Sequence, residues 1–224
     1  MNVIRLVLFD LDGTLLDTAP DLLYALNHLR AEQHLPPLPL SAIRPIANLG
    51  SKAMIKKALN IDENHQDFMP LREKFLTFYQ NNINNRTELF PQIEEVLCYL
   101  EECQIPWGIV TNKLSCHASA LLKAFNLDTR AACIVYGDSL ATTKPDPGPI
   151  RYACELLKQQ PQHCLYVGDA ITDMMASKAA GTRSLLALYG YIHTNENPFA
   201  WEADGYIQQP IDIINWLTRY LEKE

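Results

Sequence analysis

Two acidic residues, two positions apart, stand directly after an apolar run near the start of the sequence and could hold a cation between them. Residues 7–9 are apolar, Asp10 and Asp12 follow, and Gly13 comes next. Side chains two apart on a strand point the same way, and two like charges held together there are costly unless a cation neutralises them. The pair therefore indicates a metal site, with a turn of solvated acids as the alternative. A calcium loop is disfavoured, because it requires a third ligand before its glycine and a glutamate near its end.

Later apolar runs are also followed by polar side chains that are able to take part in chemistry. These are a hydroxyl, an amide, an ammonium and two carboxylates, at Thr111, Asn112, Lys144, Asp169 and Asp173. Taken singly, each has an ordinary explanation, because Thr and Asp cap helices and most lysines are solvated. The carboxyl ends of parallel strands lie at one edge of a sheet, where ligands bind. The sequence thus predicts one acidic pocket with a hydroxyl and an ammonium group.

The chain from residue 90 onward alternates between short apolar runs and amphipathic stretches. After a first strand at 6–9, we predict strands at 107–111, 132–136, 164–167 and 183–188, and helices at 92–102, 115–125, 149–158, 172–180 and 211–221. Such alternation is typical of a parallel sheet covered on both faces. The predicted fold class is α/β, with a doubly wound parallel sheet.

Residues 19–85 carry no strand pattern and form a helical block directly after the first strand. One helix is predicted to begin at 17–20, a second to run over 41–59 with breaks at Pro45 and Gly50, and a third to cover 68–83. Proline and glycine are the expected points of interruption. We predict a helical cap at residues 17–86, inserted into a catalytic core of residues 1–16 and 87–224.

The composition is that of an ordinary globular protein and restricts the partners. The 224 residues carry a net charge of -7, with 48% apolar and 20% charged residues. This balance argues against nucleic acid or an anionic membrane as a partner. The apolar run at 6–9 is too short for a signal-peptide core or a membrane span, so we expect a cytoplasmic protein. Six cysteines without a Cys-x-x-Cys pair indicate reduced thiols. A monomer is the expected oligomeric state.

The order and spacing of the polar groups resemble the haloacid dehalogenase superfamily of phosphatases. The four motifs of that family match Asp10-x-Asp12-x-Thr14, Thr111, Lys144 and Gly168-Asp169-x-x-x-Asp173, and the helical block matches its cap. The resemblance implies a phosphate monoester hydrolase that uses Mg²⁺, which offsets the charge of the phosphate. One departure is Ala170, where many relatives have a second Asp or a Ser.

The resemblance also implies roles for the acidic residues. Asp10 would attack phosphorus and form an aspartyl-phosphate, and Asp12 would protonate the leaving oxygen and then activate water. Asp10, Asp169 and the main-chain carbonyl of Asp12 would bind Mg²⁺. Asp173 is expected as a further ligand or as a neighbour of the ligands.

Residues predicted to contact substrate come from both core and cap. By resemblance, Thr111 and Lys144 would hold the phosphoryl oxygens, and Lys144 would also restrain Asp10. The other candidates are Thr14, Asn112, Arg44, Asn48 and Lys52. The last three surround the predicted break in the second cap helix, a part that faces the active site in similar enzymes. Arg44 is the strongest of them, because a guanidinium can hold a carboxylate through two hydrogen bonds.

Two substrates fit the finer resemblances, and both carry a carboxylate. Residues 17–22 resemble phosphoglycolate phosphatases, whereas residues 107–113, 189–193 and 197–201 look more like N-acetylmuramic acid 6-phosphate phosphatases of peptidoglycan recycling. The alternative for the aromatic residues in the last two segments is simple loop packing. We expect the sugar phosphate, which requires a cavity of several hundred cubic ångströms between cap and core.

Other classes of protein share parts of this pattern. A phospho-Asp receiver module is disfavoured because its phosphorylated Asp lies in mid-sequence and has no acid two residues later. A dehalogenase would dispense with Asp12 and with metal. A sugar-phosphate mutase shares all four motifs and stays open as an alternative. An inactive relative is disfavoured because no motif carboxylate is missing.

Overall fold

The computed structural model describes residues 3–220. Within them, the strands are β1 (Leu6–Phe9), β2 (Leu16–Asp17), β3 (Glu88–Leu89), β4 (Trp107–Val110), β5 (Cys133–Val135), β6 (Cys164–Gly168), β7 (Arg183–Ala187) and β8 (Gly205–Ile207). The α-helices are α1 (Ala19–Glu32), α2 (Leu40–Ile43), α3 (Gly50–Leu59), α4 (Phe68–Asn81), α5 (Ile93–Glu102), α6 (Ser115–Ala124), α7 (Leu127–Arg130), α8 (Gly148–Leu156), α9 (Ile171–Ala180) and α10 (Asp212–Leu217).

Six of these strands form one parallel sheet with β1 near its centre. The strand order is β5-β4-β1-β6-β7-β8, and Val7 pairs with Trp107 of β4 on one side and with Leu165 of β6 on the other. The chain therefore winds outward from β1 in both directions. This is the doubly wound parallel sheet that the sequence predicted, and β1 stands where the strand order reverses.

The apolar run of β1 is fully buried because helices cover both faces of the sheet. Val7 and Phe9 face one hydrophobic cluster, where Phe9 packs edge-on against Trp107 with ring centroids 6.3 Å apart. Leu6 and Leu8 face the other cluster. Alternate side chains of a strand point to opposite faces, so a strand buried on both sides needs an uninterrupted apolar sequence.

Helices α1 to α4 pack around a hydrophobic cluster of their own. Leu26, Ile55, Phe68 and Phe75 are fully buried within it. The predicted second helix is interrupted as expected: α2 passes into a 3₁₀ turn at Arg44–Leu49, and α3 starts at Gly50. These four helices lie between β1 and β4 in the chain, as an inserted block. The boundaries of the cap at residues 17–86 remain a prediction.

The two connections between this helical block and the sheet are joined to each other. Strands β2 and β3 pair antiparallel. The buried carboxylate of Asp21 accepts hydrogen bonds from the main-chain N–H of Arg86 at 2.9 Å and from the hydroxyl of Thr87 at 2.6 Å. The outgoing and returning chains are therefore held side by side.

Several short elements were not predicted from the sequence. Strands β2, β3 and β8 and helix α7 have two to four residues each, too few to show a periodic pattern. The last predicted helix, 211–221, corresponds to α10, but residue 221 lies outside the described residues. Across residues 3–220, no helix is both long enough and apolar enough to traverse a bilayer.

Candidate active site

The topology brings four of the predicted groups to one edge of the sheet. Asp10 follows β1, Thr111 follows β4, Asp169 follows β6, and Lys144 lies in the segment after β5. All four side chains are buried. This edge, at the carboxyl ends of parallel strands beside the reversal point, is where such sheets bind ligands.

Lys144 lies at the centre of this group. Its Nζ is 2.8 Å from Oδ1 of Asp10 and 2.7 Å from Oδ1 of Asp173. It also donates to the main-chain carbonyl of Val110 at 2.8 Å and to the hydroxyl of Tyr166 at 2.7 Å. One ammonium thus ties the acids after β1 and β6 to the end of β4.

Three carboxylates converge next to this lysine. Asp10, Asp169 and Asp173 each place an oxygen within 4.8 Å of the others. Burial raises the pKa of Asp10 to about 7 against the pull of Lys144, and burial, together with the charges of Asp10 and Asp173, raises the pKa of Asp169. Burial alone would lower the pKa of Lys144, but the charges of Asp10 and Asp173 raise it. When all three acids are ionised, their charge exceeds that of the single ammonium, and a divalent cation would offset the excess.

The three acids differ in how far their oxygens are already used. Oδ2 of Asp173 accepts from the main-chain N–H groups of Asp169 and Ala170 at 3.1 and 3.0 Å. Among residues 3–220, Oδ2 of Asp10 has no hydrogen-bond partner, whereas its Oδ1 is bound to Lys144. Asp10 therefore has a carboxylate oxygen free for a ligand or for attack. The departure at Ala170 has little effect on Asp173, because the main chain makes this contact.

Asp169 is held by groups from three parts of the chain. Its Oδ2 accepts from the main-chain N–H of Tyr191 at 2.6 Å and from Nδ2 of Asn48 at 2.8 Å, while its Oδ1 accepts from Thr14 Oγ1 at 3.2 Å. Asn48 belongs to the inserted helices. The acidic group is therefore in direct contact with the block that covers it.

Gly13 is required by its close approach to Asp169. Its φ is +84°, a conformation that side-chain-bearing residues rarely adopt, and an added Cβ would overlap the carboxylate of Asp169. The Asp-x-Asp-Gly sequence therefore supplies both the acids and the tight turn that brings them under the β6 edge.

Asp12 has separate partners from the acidic group. Its Oδ1 accepts from Thr18 Oγ1 at 2.5 Å and from Lys113 Nζ at 2.9 Å. Burial alone would lower the pKa of Lys113, but the charge of Asp12 raises it, so this lysine stays protonated beside Asp12. The ammonium also lies 5.0 Å from the centre of the Tyr79 ring. Asp12 is consequently fixed in orientation beside the acidic group.

A cavity of about 260 Å³ opens above these groups, between the sheet edge and the inserted helices. Asp10, Asp12, Thr111 and Lys144 form its floor. The helical block lines the opposite side, with apolar side chains at Leu22, Ala47, Met54, Phe75 and Leu76 and polar ones at Asn48, Ser51 and Arg72. The predicted acidic groups thus face a partly open cavity with one apolar wall.

Comparison with known proteins decides the family. Residues 7–187 match the model of the haloacid dehalogenase-like hydrolases. The chain belongs to the haloacid dehalogenase-like hydrolase family. The matched region covers β1 from its second residue, β2 to β7 and the inserted helices. It includes the acidic residues, Thr111 and Lys144, but not Tyr191.

Individual relatives of this family are similar over nearly the full chain. The protein is 37% identical over 210 residues to an N-acetylmuramic acid 6-phosphate phosphatase of Pseudomonas putida, covering 94% of each chain. It is 38% identical over 211 residues to a phosphoglycolate phosphatase of Xanthomonas campestris pv. campestris, covering 94% of this chain and 95% of that one. The expectation of a phosphatase is thereby confirmed: the chain is a phosphatase of the haloacid dehalogenase-like family.

A solved structure agrees with the fold. A crystal structure described as a predicted phosphoglycolate phosphatase from Haemophilus somnus superposes with a TM-score of 0.85 at 27% identity, covering 96% of this chain and 99% of that one. A structure described as a haloacid dehalogenase-like hydrolase from Bacteroides fragilis has a TM-score of 0.80 at 22% identity and supports the fold alone. The resemblance read from the motifs therefore extends to the sheet and the inserted helices.

Within this haloacid dehalogenase-like site, two core candidates make contacts of a structural kind. Asn112 accepts from the main-chain N–H of Lys144 at 3.0 Å and donates to its carbonyl at 2.9 Å. Thr111 Oγ1 accepts from the main-chain N–H of Lys113 at 3.1 Å. Both residues line the cavity, and Asn112 fixes the position of Lys144.

The three cap candidates have different environments. Asn48 lines the cavity, as described above. Arg44 lies outside the lining, with Nη2 2.5 Å from Oδ2 of Asp17 and its guanidinium 5.8 Å from the Tyr191 ring centre. Lys52 is exposed, and its Nζ lies 2.6 Å from Oε2 of Glu63. The structure therefore does not bring Arg44 and Lys52 to the cavity, because each has an acidic partner elsewhere.

Three cavity residues were not singled out as site residues in the sequence. Lys113 follows the predicted Thr111-Asn112 pair directly, so its position beside the site had a sequence signal. Tyr79 and Arg72 both lie in the helix that the sequence predicts over 68–83, and both line the cavity. Nothing in the local sequence distinguishes Arg72 from a solvated arginine.

Proposed function

We propose that the protein is a Mg²⁺-dependent phosphatase that hydrolyses N-acetylmuramic acid 6-phosphate through an aspartyl-phosphate on Asp10. The main support for this mechanism is the carboxylate of Asp10 at the floor of the cavity. Its Oδ1 is bound by Lys144 and its Oδ2 is free. A carboxylate held in this way is a suitable nucleophile, because the ammonium fixes it without blocking both oxygens.

In the first step, Oδ2 of Asp10 forms a bond to phosphorus as the phosphorus–oxygen bond of the ester breaks. The leaving oxygen takes the proton of the Asp12 carboxylic acid and departs as an alcohol. Thr18 and Lys113 hold Asp12 in position for this transfer. Lys144 and Thr111 face the phosphoryl oxygens, and the ammonium of Lys144 offsets their charge.

In the second step, the Asp12 carboxylate removes a proton from water. The water oxygen attacks phosphorus, the bond to Asp10 breaks, and inorganic phosphate leaves. Asp10 is restored as a carboxylate and Asp12 as an acid. One residue thus serves as acid and then as base, which suits its place at the cavity, outside the acidic group.

The three converging carboxylates fit a hard divalent cation, since oxygen ligands of this type are the ones that Mg²⁺ prefers. Asp10 and Asp169 would hold it, with Asp173 beside them and the main chain of Asp12 as a further candidate. Bound Mg²⁺ would neutralise part of the charge of the phosphoryl group. The inserted helices, proposed as a cap at residues 17–86, would exclude water over this site.

Removal of divalent cations is expected to abolish phosphatase activity, and added Mg²⁺ to restore it. Added Mg²⁺ should also raise the melting temperature, because a ligand that binds only the folded chain stabilises it. The pKa of Asp10 is raised from 3.8 to about 7, so the metal-free fold binds extra protons and loses stability as pH rises through that range. The gain from Mg²⁺ should therefore be larger at about pH 8 than at about pH 6.

The measurement is a melting curve at both pH values with and without Mg²⁺, alongside turnover in a chelator. A sodium salt of matched ionic strength is the control for general screening. Full turnover in the chelator, or a Mg²⁺ effect that Na⁺ reproduces, would contradict a specific site.

The apolar wall of the cavity supports the sugar substrate. Leu22, Met54, Phe75 and Leu76 face the acidic floor. N-acetylmuramic acid 6-phosphate offers this wall an acetamide methyl, a lactyl methyl and one face of a pyranose, whereas phosphoglycolate has a single methylene. The volume of about 260 Å³ gives less support, since it lies just below the usual ligand-site range of about 300–1,000 Å³.

Phosphoglycolate is the second candidate. Relatives at 38% identity are named for it, as is a solved structure with a similar fold. It carries a phosphate ester and a carboxylate like the first candidate, so the same catalytic groups would serve both.

The two candidates are separated by kcat/KM measured with Mg²⁺. We expect N-acetylmuramic acid 6-phosphate to exceed phosphoglycolate by about tenfold or more, because each buried methyl or methylene group contributes about 0.8 kcal/mol. A clear preference for phosphoglycolate would overturn the sugar assignment and leave the phosphatase assignment in place. Transfer of phosphate to a second sugar hydroxyl, instead of to water, would indicate the mutase alternative.

A further inference from the structure

Arg72 is distinguished from the other cations at the cavity by its partners. Lys113 is paired with Asp12, and Lys144 with Asp10 and Asp173. Among the described residues, the side chain of Arg72 makes one hydrogen bond, from Nε to the neutral Ser51 Oγ at 2.8 Å. Its two terminal NH₂ groups have no partner there. Arg72 is half-buried beside an apolar wall, so its charge lacks the acidic partner that such a site favours.

Arg72 lies on the face of α4 that borders the cavity. Residues 72, 75, 76 and 79 are spaced three and four apart, which places them on one side of the helix, and all four line the cavity. The hydrogen bond from Nε to Ser51 on α3 fixes one side of the guanidinium group. The two terminal NH₂ groups form a fork that makes no hydrogen bond within residues 3–220. A fork held in this way is prepared for two parallel hydrogen bonds to a carboxylate.

A second observation also points to a ligand in this cavity. Tyr79 is 2% exposed, and within residues 3–220 its hydroxyl has no hydrogen-bond partner; the same is true of Nδ1 of His117. Both residues line the cavity. Buried polar atoms without partners are costly, so a substrate with hydroxyl or amide groups would satisfy them.

The position of Arg72 sets a length for the ligand. Tyr79 lies next to Lys113, which contacts Asp12 at the catalytic floor. Arg72 is seven residues earlier, about 10 Å along the helix axis. The carboxylate carbon of phosphoglycolate lies only about 4 Å from phosphorus, at bond lengths near 1.5 Å. A carboxylate across a sugar ring from the phosphate lies much farther away.

We propose that Arg72, positioned by Ser51, binds the carboxylate of a long phosphate ester at the end of the cavity opposite Asp10. This inference rests on the proposed phosphatase function and adds the class of substrate: an ester whose carboxylate is separated from the phosphate by about the width of a sugar ring. Arg44 does not take this role, since Asp17 already neutralises it.

The test compares two sugar phosphates that differ in the lactyl group, which bears the carboxylate, and adds phosphoglycolate as a short ester. Arg72→Met should lower kcat/KM for N-acetylmuramic acid 6-phosphate by roughly 10- to 100-fold, the scale of hydrogen bonds to a charged group. Turnover of N-acetylglucosamine 6-phosphate, the same sugar without the lactyl group, should change by less than about threefold. Turnover of phosphoglycolate by the Arg72→Met protein should change as little, because its carboxylate does not reach position 72. Arg72→Lys should recover only part of the loss, because an ammonium lacks the fork.

Two further variants serve as controls. Lys74→Met removes an exposed cation from the same helix and should leave kcat/KM for all three esters unchanged. Arg44→Met should lower turnover of the two sugar phosphates alike, through loss of the pairing with Asp17. An equal loss on both sugar phosphates in Arg72→Met, or no loss on either, overturns the role of Arg72.

Binding measured without turnover separates this inference from the proposed function. Titration of N-acetylmuramic acid 6-phosphate into the Asp10→Asn protein by calorimetry should give an affinity that falls by roughly 10- to 100-fold when Arg72→Met is added. If the unsubstituted protein turns over no phosphate ester, the proposed function fails, and this titration still decides for or against Arg72.

Discussion

Replacing Asp10 by Asn is expected to reduce turnover of every phosphate ester by about 10⁴-fold or more, the scale seen when an enzyme loses its nucleophile. An amide of nearly the same size keeps the space filled at the floor of the cavity but cannot form the covalent bond to phosphorus. Single-turnover kinetics with N-acetylmuramic acid 6-phosphate measure the effect directly.

The fold of the Asp10→Asn protein should persist, which makes the result interpretable. The carboxylate it replaces is buried and has a pKa raised to about 7, so removal of its charge relieves part of the cost of burial. Lys144 keeps Asp173 as an acidic partner at 2.7 Å. Asp62→Asn, an exposed site on the helical block, is a matched control that should retain full activity. Undiminished turnover in the Asp10 variant would rule out the covalent mechanism.

Replacing Asp12 by Asn is expected to cost at least about 10²-fold in kcat for the sugar phosphate, the usual scale of general acid–base catalysis. The loss should be smaller in the first step for an aryl phosphate, because its leaving oxygen departs without a proton. The second step still lacks its base with either ester. Phosphorylated Asp10 should therefore accumulate in this variant with the aryl ester.

Mass spectrometry of the acid-quenched Asp12→Asn protein checks this prediction, since the adduct adds one phosphoryl group. The contact with Lys113 offers a matched comparison: Lys113→Met leaves Asp12 in place but removes one of its two side-chain partners. It should lower kcat less than Asp12→Asn does and trap little adduct. If the Asp12→Asn protein turned over the sugar phosphate and the aryl phosphate rapidly, without accumulating phosphorylated Asp10, the dual acid–base role of Asp12 would be excluded.

Most of the sheet was predictable from the sequence because its strands are buried on both faces. A parallel strand between two layers of helices needs an uninterrupted apolar run, and each such run was visible, as in β1 and β6. The short edge strand β8 was not visible, since three residues exposed on one side carry no periodic signal. The interruption of the second cap helix was also readable, because Pro45 and Gly50 act on the local backbone whatever lies around them.

The placement of the charged side chains was only partly predictable. Polar residues that follow buried strands meet at one sheet edge by topology, so Asp10, Lys144 and Asp169 were found together. The sequence makes Arg44 a candidate for binding a substrate carboxylate. In the fold, its Nη2 lies 2.5 Å from Oδ2 of Asp17, a residue 27 positions earlier. The sequence contains both residues and does not say that they meet.

By itself, the sequence determined the order of the strands along the chain, the inserted helical block and the acidic motifs at the strand ends. These depend on local patterns: apolar runs, helix-breaking residues and acids next to glycine. Only the tertiary structure decided which cation pairs with which acid. Arg44 and Arg72 are both cap arginines, yet one is neutralised by Asp17 and the other faces the cavity beside a neutral serine. The physical reason is that charge pairing depends on distances of a few ångströms between elements remote in the chain, and packing alone sets those distances.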